Sequence, residues 1–163
     1  MQTQFTWKKG LFSDLFQIYN NDNQIGKLKD NSFSQVAKGE IQQKEYTFKS
    51  KGIMNYRTEI IDNSSSQIIG EIKYNNWMTK ASIDIGESKA LWQYDNFWST
   101  KWSITQSDGI QIRFSGSSSK GEIQCNKVDE LLILTGLYVI NYHWQTTLVV
   151  IIAALIPIYL SLF

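Results

Sequence analysis

Apolar and polar positions alternate with period two along residues 15–125, and turn residues recur every 8–12 positions. That is the pattern of half-buried antiparallel strands joined by short turns. Phe16-Gln-Ile-Tyr19, the polar run Asn20–Asn23 and Gln24-Ile-Gly-Lys-Leu-Lys29 predict one hairpin. Glu59–Asp62, Asn63–Ser66 and Gln67–Lys73 predict a second, and Ile110–Phe114, Ser115–Ser119 and Lys120–Gln124 a third. Asn and Asp tolerate left-handed turn geometry. The turns depend on such residues, because the one proline, Pro157, lies in the tail. Each return strand carries a glycine, Gly26, Gly70 or Gly121, and Lys38-Gly-Glu-Ile41 has the same form. A glycine inside a strand marks a bulge or a tight bend at a barrel corner. Offsets of 44 and 51 residues between the copies are too irregular for a solenoid or propeller. The predicted fold class is mainly β, a closed antiparallel sheet built from hairpins. Residues 80–85, 90–94 and 101–105 supply further strands, and residues 1–13 are left as an unassigned N-terminal segment.

From Val128 the pattern changes. Residues 129–140 are apolar all round after Asp129 and Glu130, two acids suited to the positive end of a helix dipole. A helix over 129–144, with Leu131, Leu132, Leu134, Leu137, Val139 and Ile140 as its apolar body, must be buried in protein or in lipid. The polar-aromatic stretch 141–147 then predicts a break. A second helix over 147–163 would span about 25 Å, the low end of what crosses a bilayer core of about 30 Å. Its candidate anchor residues are Leu148, Val149, Val150, Ile151, Ile152, Leu155, Ile156, Ile158 and Leu160, with Tyr142 and Trp144 placed as an interfacial aromatic belt. Three arrangements compete: a core helix 129–144 followed by a membrane anchor 147–163; both segments in the membrane; or the whole tail packed on protein in a soluble fold or oligomer. The length argument favours the first.

Charge sharpens that boundary. The 163 residues carry 16 Lys+Arg and 15 Asp+Glu, net +1, but no charged residue follows Glu130. The near-neutral total averages a charged body with an uncharged tail. No strongly basic balance recommends nucleic acid as a partner. A single cysteine, Cys125, excludes an internal disulfide framework, and a single histidine, His143, excludes a histidine metal cluster. The start has no apolar h-region of a signal peptide.

The hairpin series, such as Ile18-Tyr-Asn-Asn-Asp-Asn-Gln-Ile-Gly-Lys-Leu-Lys29, ending in the apolar helix Asp129-Glu-Leu-Leu-Ile-Leu134, resembles the tubby C-terminal-like superfamily, in particular its phospholipid scramblase and LURP-one-related branch. The resemblance covers roughly residues 14–144. It implies a closed barrel of about a dozen strands around a central hydrophobic C-terminal helix. It does not carry over calcium activation or phosphoinositide binding, because the acidic calcium segment, the cysteine-rich run and the paired basic residues have no counterparts here.

No catalytic constellation stands out. Gly116-Ser-Ser-Ser-Lys-Gly121 has Glu122 where a phosphate loop needs lysine and reads as a turn. Asn20–Asn23 lacks the ligand spacing of an EF-hand. A Cys125–His143 dyad would join a strand end to a helix end. Trp92, Tyr94, Trp102 and Ile104 are expected to alternate into a barrel interior, whereas Phe97 and Trp98, in a turn, are candidate membrane-interface contacts. Lys8 and Lys9 would add weak attraction to an anionic leaflet, about 1 kcal/mol each. The expected function is that of a non-enzymatic, cofactor-free, single-pass membrane protein with its N-terminal domain cytoplasmic. Its partner would be membrane lipid, with protein partners left open. Lipid translocation and a soluble interaction module are the alternatives.

Overall fold

The computed structural model describes residues 2–10, 13–31, 35–51 and 57–160, with the side chains of Ile158 and Leu160 excepted. Twelve strands form a closed barrel in which each pairs antiparallel with its neighbours in sequence, and the first closes on the last. They are β1 (Thr3–Lys9), β2 (Leu15–Asn20), β3 (Asn23–Asn31), β4 (Val36–Ile41), β5 (Lys44–Ser50), β6 (Arg57–Asp62), β7 (Gln67–Tyr74), β8 (Lys80–Ile85), β9 (Ser88–Tyr94), β10 (Lys101–Gln106), β11 (Gln111–Gly116) and β12 (Lys120–Cys125). One helix, α1 (Glu130–Leu160), follows. The mainly β class and the closed sheet agree with the sequence pattern.

The three anticipated hairpins are β2–β3, β6–β7 and β11–β12. Two of the glycines sit beside bulges. Ile18 pairs with Gly26 but Tyr19 with Gln24, and Ile60 pairs with Gly70 but Ile61 with Ile68, so one extra residue enters each return strand. The third glycine has another reason. Gly121 faces Gly116 across β11–β12, and a Cβ on either would press into the Trp7 indole and a neighbouring backbone carbonyl.

The N-terminal boundary corrects the sequence reading. The barrel begins at Thr3 rather than near residue 14, because β1 fills the gap between β2 and β12. Without it, both neighbours would expose unpaired backbone edges. Leu11 and Phe12, part of that unassigned segment, lie outside the described residues.

The lumen is filled. Inward positions of the strands, among them Phe16, Ile18, Leu28, Phe48, Ile72, Trp92 and Trp102, meet α1 from Leu132 to Asn141, which is buried all round. Burial of each large aliphatic side chain contributes about 1.5–3 kcal/mol. Gly39 makes room for Leu134, and Gly136 accepts the Phe114 ring where any Cβ would clash. Thr58 on β6 shares its hydroxyl with the Tyr74 and Tyr138 hydroxyls, at 3.0 and 3.1 Å, which satisfies three polar groups inside the barrel. Asp129 caps the helix by accepting the Leu132 amide at 2.9 Å.

The expected break at 141–147 is absent. α1 runs unbroken for 31 residues, about 47 Å, so the core helix and the anchor segment are one element. The polar side chains that suggested a break are satisfied without leaving the helix. Thr146 donates its hydroxyl to the Tyr142 carbonyl at 2.9 Å, and Asn141 and Gln145 reach the barrel wall.

Candidate membrane-facing end of the barrel

Alternation of strand direction gives the barrel two rims. α1 enters at the rim that holds the β12–α1 connection and leaves at the other, where β1 ends, β2 begins and the β7–β8 and β9–β10 turns lie. The exit rim is sealed by aromatic side chains. Trp144 stacks on Phe16 with ring planes 19° apart and centroids 6.4 Å apart, and meets Trp102 edge-on at 6.4 Å. Tyr142 stacks on Tyr74 at 4.3 Å. His143 is buried among Tyr74, Trp92 and Tyr94, far from any pairing with Cys125, which is buried on β12 at the strand's entry-rim end.

A polar cluster completes the seal. The Lys9 ammonium donates to Asn141 Oδ1 at 2.8 Å and lies over the rings of Phe16 and Trp144. Asn141 Nδ2 and Gln145 Nε2 donate to Asp30 Oδ2 at 2.6 and 3.0 Å. Burial pushes the Asp30 carboxyl above its ordinary range, against the pull of these two amides. Burial likewise lowers Lys9, against the attraction of Asp14 and Asp30. The three elements β1, β3 and α1 are tied together at the point where the helix emerges.

Beyond this seal the helix changes surroundings abruptly. From Thr147 onward every described side chain is exposed, including Leu148 at 58%, Ile152 at 50% and Tyr159 at 64%. The consecutive run Leu148–Ile152 is exposed on every face, so no single face is prepared for a protein partner. The stretch Glu130–Pro157 is apolar and long enough by length and composition to cross a membrane; its first half lies in the barrel, and the part beyond the seal, from Thr147 to Leu160, spans about 21 Å. Leu155 and Ile156 are exposed like their neighbours, whereas the side chains of Ile158 and Leu160 lie outside the described set.

The sequence-assigned residues therefore divide. Leu132, Leu134, Leu137, Val139 and Ile140 are buried in the lumen, and Leu131 is half-buried at its entrance. Phe97 and Trp98 are 91% and 79% exposed on the exit rim. Trp92, Trp102 and Ile104 are buried inward and Tyr94 is half-buried, as their alternation suggested. Tyr142 and Trp144 are corrected: they pack into the exit mouth instead of forming a free aromatic belt, because the helix is still inside the barrel at their height. Lys9 is half-buried at the same mouth and donates to Asn141. Lys8 is exposed beside the Tyr19 ring. Trp77 belongs to the same aromatic-rich stretch of the sequence, which put Phe97 and Trp98 ahead of it, and it is 86% exposed on the same rim.

Comparison with known proteins yields the fold. No family model matches the chain, and no curated protein matches it. A solved structure, the X-ray structure of a protein from Arabidopsis thaliana (AT5G01750), superposes with a TM-score of 0.57 at 13% identity, covering 85% of this chain and 89% of that one. The two share an architecture. A twelve-stranded barrel closed around a C-terminal helix also fits the fold implied by the tubby-like resemblance.

Proposed function

We propose that the chain is a membrane-anchored, tubby-like barrel that works without catalysis by holding its charged body against a lipid surface. The observation that carries this is α1 itself. One uninterrupted helix is buried on all sides inside the barrel and then exposed on all sides beyond it. A contiguous apolar surface of that kind requires an apolar environment. The barrel acts as a socket for the first half of the helix, and the bilayer takes the second. The body sits on the cytoplasmic side, where basic residues flanking a span are favoured.

Lipid translocation draws no support from the lumen, which side chains of the strands and α1 occupy. The test is extraction of the full chain from membranes. With residues 148–160 in the bilayer, the protein stays with the membrane through alkaline carbonate, and Ile152→Arg releases it as a folded barrel. Release of the unaltered chain by carbonate would sink the proposal, and a detergent-free soluble oligomer would favour burial of the tail in protein.

A further inference from the structure

Two turns on the exit rim share the pattern Asn-x-Trp-x-Thr-Lys and the same geometry. Residues 75–80 read Asn-Asn-Trp-Met-Thr-Lys and residues 96–101 read Asn-Phe-Trp-Ser-Thr-Lys. In each, the leading asparagine folds the turn around its side chain. Asn75 Oδ1 accepts the Thr79 and Lys80 amides at 2.9 and 3.0 Å, and Asn96 Oδ1 accepts those of Thr100 and Lys101 at 3.0 Å each. Each amide nitrogen then donates to the threonine hydroxyl, at 3.0 and 2.7 Å. The fourth residue is forced into the left-handed region in both, Met78 at φ 53° and Ser99 at φ 56°. Non-glycine residues hold that conformation only where the surroundings impose it.

The product of this rigidity is a tryptophan pointed into solvent. Trp77 and Trp98 are 86% and 79% exposed, each followed three residues later by a lysine, Lys80 or Lys101, that forms no ion pair among the described residues. The two turns are neighbours, because β8 and β9 pair between them. They stand on the rim from which the exposed helix emerges. Thr147, the first exposed residue of the outgoing helix, stands three positions beyond Trp144, packed in the mouth, a rise of about 4.5 Å. With no linker there, whatever surrounds Leu148 lies level with this rim.

The rims also differ in charge. The turns and the terminal residues of the strands at the exit rim carry six basic residues and two acidic ones, with Asp30 one position further in, whereas the same positions at the entry rim carry six acidic and two basic. The overall charge of +1 thus conceals an axial dipole. Amphipathic tryptophan rings favour the bilayer interface, and a basic face is attracted to anionic headgroups.

From these observations we infer that the paired Asn-x-Trp-x-Thr-Lys turns are a docking surface for an anionic phospholipid leaflet, with Trp77 and Trp98 seated at the interface and Lys80 and Lys101 on headgroup phosphates. This rests on the anchored-barrel reading and fixes the barrel's orientation: exit rim down, acidic rim toward the aqueous phase.

The test reconstitutes the full chain in phosphatidylcholine vesicles with and without phosphatidylserine. The fluorescence of Trp77 and Trp98 is isolated by subtracting a W77F/W98F variant. Docking predicts that bromine-labelled lipid quenches this component and that phosphatidylserine shields it severalfold from aqueous iodide. K80E/K101E, altered only at exposed positions, loses that shielding. If the component stays open to iodide while the chain resists carbonate, the rim inference falls and the tail reading stands, with the rim facing water or a protein. If carbonate strips the chain but lipid still quenches the pair, the rim docks and the anchor reading falls. Iodide access together with carbonate release overturns both.

Discussion

Two stretches of one helix, Leu132–Asn141 and Leu148–Ile156, have nearly the same apolar texture and opposite surroundings. The first is enclosed by twelve strands, and its neighbours are shaped to it: Gly39 is cut back for Leu134, and Phe114 fills the space over Gly136. The second, over Leu148–Ile156, is a run of exposed aliphatic residues. A packed core is sensitive to the volume of each side chain, whereas lipid asks only for apolarity. Composition alone does not distinguish a helix that belongs in a barrel from one that belongs in a bilayer. The presence of small residues opposite large ones does.

The contrast can be broken most severely from inside. Leu134→Ala should cost about 2–5 kcal/mol of unfolding free energy, whereas Leu155→Ala, on the exposed stretch, should stay within about 0.5 kcal/mol. Urea titration of both variants in the same detergent measures the difference, and equal costs would erase the distinction. Next in size is Ile152→Arg, which should penalise bilayer insertion by about 2.5–3.5 kcal/mol and leave the barrel's circular dichroism unchanged. Membrane fractionation reads the loss. Gly136→Ala forces a Cβ into the Phe114 ring and should destabilise by about 1–3 kcal/mol, while Ala153→Gly outside should show only a small helix-propensity effect in the same thermal melts.

The smallest effect is in pH dependence. Burial raises the Asp30 carboxyl, so the native state binds its proton more readily than the unfolded chain does. The stability this group contributes is full below about pH 4, the unfolded value, and is lost as pH rises through the higher native pKa. Asp30→Asn keeps an acceptor for Asn141 and Gln145 but removes the titration. Its stability should therefore decline less than that of the unaltered protein over that interval, in denaturation curves collected as a function of pH. An identical slope would show that Asp30 titrates normally in the native state.

The local parts of this fold were readable in the chain. Gly26 and Gly70 announce bulges because a bulge is a short-range feature of one hairpin. β1 was not readable, because Thr3–Lys8 find their partners at Lys120–Cys125, across the whole barrel. The false break at 141–147 has the same origin. Asn141 looks like an interruption until Asp30, 111 residues away in sequence, supplies its acceptor. Trp144 reads as an interfacial aromatic until the Phe16 and Trp102 rings are placed around it. The duplicated Asn-x-Trp-x-Thr-Lys turns are visible as letters. What gives them meaning is the rim they share with the emerging helix, which only closure of the barrel reveals.

The most direct measurement of the division of α1 is spin-label accessibility along it. Cys125 is buried, so a nitroxide can be placed selectively at cysteines introduced at Leu148, Ile152 and Ile156 of the membrane-reconstituted chain. A tail in the bilayer predicts high accessibility to oxygen and low accessibility to an aqueous nickel chelate, with the contrast rising from Leu148 to Ile152. Strong nickel accessibility at Ile152, or exclusion of both reagents as in a protein interior, would contradict it.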